Sequence, residues 1–133
     1  MASKRLVAVV DDEMDITVLF RDALETIKGI SIFTFTDPKM ALEHFKMNNE
    51  YYVLIISDFR MPGLNGTELL KKMKDTNPSV RTILMTAFEV NDVNFREYIK
   101  QNIINSFLQK PIKLKDLHVE VVKQINMYNK SKT

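Results

Sequence analysis

The amino-acid sequence predicts an α/β protein with an open parallel sheet covered by helices on both faces, and two observations carry this prediction. Five short apolar runs alternate with stretches of helical periodicity, which is the pattern of repeated βα units. The first run, Leu6–Val10, is apolar at every position, as a strand buried on both faces of a parallel sheet must be. Right-handed crossovers between such strands leave few other arrangements.

The strands are predicted in the five apolar runs, and the helices in the periodic stretches between them. The predicted strands are Leu6–Val10, Ile30–Phe35, Tyr51–Ser57, Val80–Met85 and Ser106–Gln109. The predicted helices cover about residues 16–27, 38–47, 67–74, 91–101 and 114–128. The apolar residues of the fourth helix form only a poor stripe along one side.

Local signals define the ends and faces of these elements. Gly29 can end the first helix in a left-handed conformation, and Asp37 followed by Pro38 fits an N-cap with a first-turn proline. The polar residues 129–133 are expected to fray as a tail. Spacings of three and four predict one apolar face on the first helix, made of Ile16, Leu19, Phe20, Ala23, Leu24 and Ile27.

The composition indicates a single domain over residues 1–133, with a core at about 5–128 and the polar tail beyond it. With 45% hydrophobic and 27% charged residues, the chain is typical of folded rather than disordered proteins. The net charge of +2 is too small to argue for a nucleic-acid surface, and the absence of cysteine excludes disulfides and thiolate metal sites. The longest apolar stretch, Tyr51–Ile56, is far too short for a membrane span, so we expect a cytoplasmic protein.

Reactive polar residues follow four of the five predicted strands. They are Asp11 and Asp12 after the first strand, Asp58 after the third, Thr86 after the fourth and Lys110 after the fifth. Because the carboxyl ends of parallel strands lie along one edge of the sheet, these side chains are expected to meet in one pocket. Like charges held that close repel one another and cost stability unless a cation is shared. The ligands are all oxygen, which favours Mg²⁺ or Mn²⁺ over Zn²⁺.

Such a pocket can hold a phosphoryl group as well as a metal ion. Asp58 can act as an acceptor, because aspartate forms aspartyl-phosphates, and Lys110 with the Thr86 hydroxyl can then bind phosphoryl oxygens. Taken singly, each residue also has an ordinary interpretation. The aspartates can solvate loops, cap a helix or form a turn, Thr86 can simply end a strand, and Lys110 can be a solvated lysine.

Four segments in their order along the chain resemble the receiver domain of two-component response regulators. They are Val9-Val-Asp-Asp-Glu13, Ile56-Ser-Asp-Phe-Arg-Met-Pro-Gly-Leu-Asn-Gly66, Met85-Thr-Ala87 and Gln109-Lys-Pro111. The resemblance extends from about Leu6 to Tyr128 and is to stand-alone members of the chemotaxis-regulator type. It implies a flavodoxin-like (βα)5 three-layer sandwich with a parallel five-stranded sheet of order 2-1-3-4-5.

The resemblance also implies a role for each residue of the pocket. Asp58 corresponds to the phosphoacceptor. Asp12 and Asp58 correspond to direct Mg²⁺ ligands, together with the backbone carbonyl of Arg60, and Asp11 to a ligand that acts largely through water. Lys110 corresponds to the cation that pairs with the phosphoryl group.

The resemblance further implies a switch and a cis-proline. Thr86 corresponds to the hydroxyl that moves toward the phosphoryl group, and Phe107 to the second, usually aromatic, switch position. Phe107 has no hydroxyl, so any switching there is expected to work by packing alone. The Lys110–Pro111 peptide bond is expected to be cis.

The function implied is signalling rather than enzymatic turnover. The domain is expected to take a phosphoryl group from a histidine kinase or phosphotransfer protein, to catalyse only its own phosphorylation and dephosphorylation, and to control a protein partner through the face near the fourth and fifth βα units. Met61, Leu64 and Ile112 are candidates for the rim where the kinase docks. Neither nucleic acid nor membrane is expected as a partner.

Two other functions are considered beside this one. An aspartate-dependent phosphohydrolase needs a second aspartate two residues after its nucleophile, and Arg60 stands at that position. A receiver-like interaction module that is never phosphorylated is the other alternative. The acidic pair, the acceptor, Thr86 and Lys110 are all intact, which argues against a decayed site.

Overall fold

A computed structural model describes residues 4–87 and 93–132, which form five strands and five helices in strict alternation. The strands are β1 Leu6–Val10, β2 Ser31–Phe35, β3 Tyr52–Asp58, β4 Arg81–Thr86 and β5 Ser106–Gln109. The helices are α1 Met14–Leu24, α2 Pro38–Asn48, α3 Gly66–Thr76, α4 Val93–Lys100 and α5 Leu114–Ser131. The start predicted for the fourth helix, at Asn91, lies outside the described residues.

All strand pairs are parallel, and their order is β2-β1-β3-β4-β5, which confirms the predicted flavodoxin-like topology. The register of the strands places the carboxyl ends of β1, β3 and β4 side by side. Val10 pairs with Ser57, and Asp58 pairs with Met85, so the residues that follow β1 and end β3 and β4 share the carboxyl edge of the sheet.

The sheet has a hydrophobic core on each face, which explains why β1 is apolar throughout. Ala8 and Val10 join the core under α2, α3 and α4, whereas Val7 and Val9 join the core under α1 and α5. Alternate residues of a strand point to opposite faces, so a central strand in a three-layer fold needs apolar side chains on both.

Helix α1 differs from its prediction in length, and it does not bury every residue of its predicted apolar face. It ends at Leu24, so Ile27 lies beyond it, and the left-handed Gly29 (φ 85°) belongs to the following turn. Leu19 belongs to the apolar face predicted for this helix, yet the residue is 46% exposed. The buried stripe instead includes Thr17, whose hydroxyl donates to the carbonyl of Met14 at 2.7 Å and is thereby satisfied inside the protein.

Two further helix ends are informative. The Asp37 side chain accepts a hydrogen bond from the backbone N–H of Lys39 at 2.9 Å, which confirms it as the N-cap of α2. Helix α5 continues to Ser131, so most of the segment predicted as a frayed tail is helical. No helix in the described part of the chain is both long and apolar enough to cross a membrane.

Candidate functional site

The carboxyl edge of the sheet carries the predicted polar residues in one place. Ligand atoms of Asp11, Asp12 and Asp58 all lie within 4.8 Å of one another. Beside them is a cavity of about 420 Å³, lined by Asp58, Phe59, Arg60, Thr86, Ala87 and Lys110. Residues at the ends of β1, β3, β4 and β5 therefore contribute to one site, as the parallel topology requires.

Lys110 is the cation beside Asp58 and Asp11. Its Nζ lies 2.8 Å from Asp58 Oδ1 and 3.8 Å from Asp11 Oδ2. Its backbone N–H donates to the carbonyl of Thr86 at 2.7 Å, and its peptide bond to Pro111 is cis, as the resemblance implied. Burial lowers the pKa of the Lys110 ammonium, but the hydrogen bond and charge of Asp58, with a contribution from Asp11, outweigh it and leave the pKa raised. Lys110 is therefore charged at neutral pH.

Asp11 is buried, and its two carboxylate oxygens differ. Oδ1 accepts a hydrogen bond from the backbone N–H of Glu13 at 2.9 Å, whereas Oδ2 is buried with no hydrogen-bond partner. Desolvation raises the pKa of Asp11 to about 6, against the lowering effect of the Glu13 N–H, and the nearby charge of Asp58 raises it further. A buried carboxylate oxygen without a partner is costly unless another group satisfies it.

A hard divalent cation fits this donor set. The three carboxylates supply oxygen ligands only, one of their oxygens is unpartnered, and a cation would offset their mutual repulsion. Asp58 is nearly buried at 7% exposure, whereas Asp12 is exposed at the rim. An ion here would lie between the protein and solvent, and Mg²⁺ usually keeps several waters.

The loop between β3 and α3, residues 59–65, is closed by backbone hydrogen bonds. The N–H of Phe59 donates to the carbonyl of Met85 at 2.9 Å, and its carbonyl accepts from the N–H of Gly66 at 2.8 Å. The Asn65 side chain caps α3 through a reciprocal capping box with Glu68. These contacts hold the segment that carries Arg60 against the end of the sheet.

Sequence reasoning missed two residues next to Asp58. The buried Ser57 hydroxyl donates to the main-chain carbonyl of Asp58 at 2.9 Å, and Gly66 packs directly against the same carbonyl. The sequence predicts the third helix only from residue 67, so Gly66 is expected to be an ordinary loop glycine, and no signal marks Ser57 either.

The two predicted switch residues lie in different surroundings. Thr86 is buried and lines the cavity. Phe107 is outside the cavity and half-buried, with its ring centroid 5.2 Å from that of Phe95 on α4. Phe95 in turn packs edge-on against Phe59, at 5.6 Å between ring centroids. A chain of aromatic contacts thus runs from the residue after Asp58 to β5.

With this geometry established, the similarity to known proteins becomes specific. The family profile of the response regulator receiver domain matches residues 7–122. The chain belongs to this family. It is 31% identical over 123 residues to the DNA-binding transcriptional regulator NtrC of Escherichia coli (strain K12), covering 92% of this chain and 25% of NtrC. The receiver domain thus spans about a quarter of that relative.

A shorter relative and a solved structure agree with this assignment. Sporulation initiation phosphotransferase F of Bacillus subtilis (strain 168) is 30% identical over 82 residues, which cover 62% of this chain and 64% of that protein. The crystal structure of a CheY-like receiver domain protein from Methanospirillum hungatei JF-1 has a TM-score of 0.82 at 22% identity, covering 97% of this chain and 99% of the other. At that identity, the structural likeness supports the fold alone.

Family membership establishes a general role. Receiver domains are signalling modules of two-component systems, which interact with histidine kinases or phosphotransfer proteins and with output domains. They typically bind Mg²⁺ at an acidic pocket, and the cluster of Asp11, Asp12 and Asp58 is compatible with that property.

Proposed function

We propose that this receiver domain accepts a phosphoryl group on Asp58 from a histidine kinase or phosphotransfer protein, and that the modified domain controls a protein partner. One observation carries the proposal. The Asp58 carboxylate faces a cavity of about 420 Å³ with the Lys110 ammonium 2.8 Å from one of its oxygens. A nucleophile and a fixed positive charge thus border a space that a phosphoryl group can enter.

The transfer is a displacement at phosphorus. A carboxylate oxygen of Asp58 attacks the phosphorus atom, and the bond from phosphorus to the donor's imidazole nitrogen breaks as the new P–O bond forms. Catalysis of such a step consists mainly of positioning the reactants and neutralising the charge on the phosphoryl oxygens. Lys110 supplies one fixed charge, and the Thr86 hydroxyl supplies a hydrogen-bond donor at the end of the neighbouring strand.

The metal site follows from the same residues. Asp11, Asp12 and Asp58, with the backbone carbonyl of Arg60, would hold Mg²⁺ or Mn²⁺, and the bound ion would neutralise phosphoryl charge. The unpartnered Oδ2 of Asp11 supports this assignment, because an ion or its bound water would satisfy that oxygen.

A groove next to the site is suited to receive the phosphodonor. It has a volume of about 520 Å³, lies between α1 and the segment after β5, and includes Lys110 and Ala87 from the cavity itself. Its apolar walls include Leu19 and Ile112. The exposure of Leu19, which the helical pattern did not predict, is explained if a donor covers it. Met61, which is also predicted for the rim, is only 9% exposed and does not line this groove.

The signal is proposed to leave through the aromatic contacts of Phe107. When Thr86 shifts toward a phosphoryl oxygen, it vacates space at the end of β4. Phe107 packs on Phe95 of α4 without any hydroxyl to hold it in one state. Repacking of these rings would change the α4–β5–α5 surface that a partner contacts.

Labelling by a small phosphodonor tests the proposal. Acetyl phosphate with Mg²⁺ is expected to give an acid-stable, base-labile modification of the wild-type protein, and chelation of Mg²⁺ should prevent it. Asp58→Asn should abolish the modification while the fold is retained, and Asp75→Asn, on the exposed face of α3, is the matched control that should label normally. Undiminished labelling of Asp58→Asn would contradict the assignment. An unlabelled wild-type protein would favour the interaction module that is never phosphorylated.

A further inference from the structure

The main chain of Asp58 is in close contact with the start of α3. A Cβ atom built at Gly66 would overlap the Asp58 carbonyl oxygen, and it would lie 2.7 Å from Leu84 Cδ1 and 3.1 Å from the Asp58 carbonyl carbon. Carbon atoms in favourable contact are about 3.5–4.0 Å apart. Only glycine fits at position 66 without displacing its neighbours.

This glycine is not explained by backbone conformation. Gly29 and Gly63 have φ angles of 85° and 88°, in the region that favours glycine, whereas Gly66 opens α3 without a positive φ. Within a helix, glycine is less favourable than alanine by about 1 kcal/mol. The close approach of α3 to Asp58 is therefore the physical reason for glycine here.

The same carbonyl is held from a second direction. The Ser57 hydroxyl, which is fully buried, donates to the Asp58 carbonyl oxygen at 2.9 Å. The next residue, Phe59, is fixed through both its N–H and its carbonyl, by Met85 and Gly66 respectively. The peptide unit that leaves Asp58 is thus restrained by a side chain, by a neighbouring helix and by the sheet.

We propose that Ser57 and Gly66 form a main-chain clamp on the Asp58 carbonyl that orients the Asp58 carboxylate for phosphoryl transfer and metal binding. Both are positioning residues, since neither borders the cavity itself. The carboxyl carbon is two bonds from Cα, so any shift of the main chain displaces the reacting oxygens with it. A misplacement of about 1 Å can slow a reaction about 100-fold. The proposal rests on the proposed function of Asp58.

Three variants test the clamp: Gly66→Ala, Ser57→Ala and Gly29→Ala. For each, we would measure Mg²⁺ affinity by calorimetry, the labelling rate with acetyl phosphate at saturating Mg²⁺, and thermal stability. Gly66→Ala is expected to weaken Mg²⁺ binding and to slow labelling about tenfold or more. Ser57→Ala should keep the fold and slow labelling about threefold, because one restraint of several is lost. Gly29→Ala is strained by its positive φ and should lose thermal stability only, since nothing lies near its side-chain position.

A double variant separates the clamp from ordinary packing. Adding Leu84→Ala to Gly66→Ala removes the side-chain contact but leaves the overlap with the Asp58 carbonyl, so the clamp predicts no recovery of rate or affinity. Full recovery would overturn the clamp. If Gly66→Ala does not fold, Ser57→Ala decides the matter, and a rate and affinity both within about twofold of wild type would overturn it.

The outcomes also distinguish the clamp from the proposed function. If the wild type is labelled and every folded variant matches it in rate and affinity, the clamp is wrong and the proposed function stands. If the wild type is not labelled but Gly66→Ala and Ser57→Ala weaken Mg²⁺ binding, the phosphoacceptor role fails and the clamp stands as a determinant of the metal site.

Discussion

At the carboxyl edge of the sheet, the Asp11 and Asp58 carboxylates share the Lys110 cation. At the amino edge, a buried lysine instead donates a hydrogen bond to a neutral side chain. Asp11 and Asp58 both face Lys110, yet the Lys110 ammonium is 3.8 Å from Asp11 Oδ2, too far for a hydrogen bond. That oxygen is the buried side-chain atom left without a hydrogen-bond partner within residues 4–87 and 93–132.

The amino edge is organised around Lys74 of α3, which is only 7% exposed. Its ammonium donates to Asn105 Oδ1 at 2.8 Å, and the same oxygen accepts from the backbone N–H of Thr82 at 2.9 Å. The Thr82 hydroxyl donates to the carbonyl of Ile103 and accepts from the N–H of Asn105. Burial, with the nearby charge of Arg81, lowers the pKa of Lys74 to about 8.

The two edges differ in whether their polar groups find hydrogen-bond partners within the protein. The network of Lys74, Thr82 and Asn105 joins α3 to β4 and to the residue before β5, and its hydrogen bonds are all made within the protein. Burial of the Lys74 charge still costs stability at neutral pH, as its lowered pKa indicates. The carboxyl edge keeps an oxygen unsatisfied and crowds like charges, which costs stability and is typical of a site that binds another group. Substitutions at each edge can show whether one edge serves the fold and the other serves ligand binding.

The largest effect is expected from Lys110→Ala. Loss of the fixed charge at the carboxyl edge should slow labelling by acetyl phosphate about 100-fold or more at saturating Mg²⁺, because that charge stabilises the developing negative charge in transfer. Lys115→Ala, exposed on α5, is the matched control and should label at the wild-type rate. A Lys110→Ala rate within about threefold of wild type would remove Lys110 from the site.

The second prediction concerns pH and the amino edge. The unfolded chain keeps the Lys74 proton up to about pH 10.5, while the folded protein releases it near pH 8, so the unfolded state binds more protons between these values. The free energy of unfolding should therefore rise with pH across that window, by about 3 kcal/mol at most. Urea unfolding of wild type and Lys74→Met at several pH values measures the difference between the two curves. Parallel curves would mean that Lys74 titrates normally.

Asn105→Ala should have a smaller effect, on stability alone. It leaves the Lys74 ammonium and the Thr82 N–H without their shared acceptor, which should cost about 2 kcal/mol of unfolding free energy. The labelling rate should not change, since the variant lies at the opposite edge from Asp58. Gln101→Ala, exposed at the end of α4, serves as the control. A slower labelling rate in Asn105→Ala would show that the two edges are coupled.

The smallest effect expected is a difference between two neighbouring aspartates. Asp11→Ala should weaken Mg²⁺ binding about tenfold if Asp11 acts through a bound water, and Asp12→Ala should weaken it more if Asp12 binds the ion directly. Calorimetry at matched pH and ionic strength compares them. Equal and small changes in both variants would mean that the ion lies elsewhere.

The sequence is informative about the carboxyl edge and silent about the amino edge, for a physical reason. Strand ends are marked by a change from apolar to polar residues, so the sequence alone is enough to place Asp11, Asp58 and Lys110 together. Thr82 and Asn105 are far apart along the chain, and nothing in their local sequence indicates that they pair.

The other differences between the sequence predictions and the structure also arise where burial depends on tertiary packing rather than on local sequence. Periodicity identifies apolar side chains but not which of them the protein buries, so it places Leu19 on the apolar face of α1 although this residue is exposed. It also overlooks a buried polar residue whose hydroxyl is hydrogen-bonded within its own helix, as the Thr17 hydroxyl is to the Met14 carbonyl. The approach of Gly66 to Asp58 depends on how α3 packs on the sheet, which no local pattern specifies.

The bonds of Thr82 have a consequence for how a signal can spread along β4. Thr82 is tied near the amino end of the strand by its hydroxyl and its N–H, whereas Thr86 ends the strand at the cavity. The backbone of β4 is held at the cavity end too, where the Thr86 carbonyl accepts a hydrogen bond from the Lys110 N–H at 2.7 Å. Under the proposed function, the movement is therefore expected in the Thr86 side chain rather than along the strand, so a partner would sense it beside the cavity.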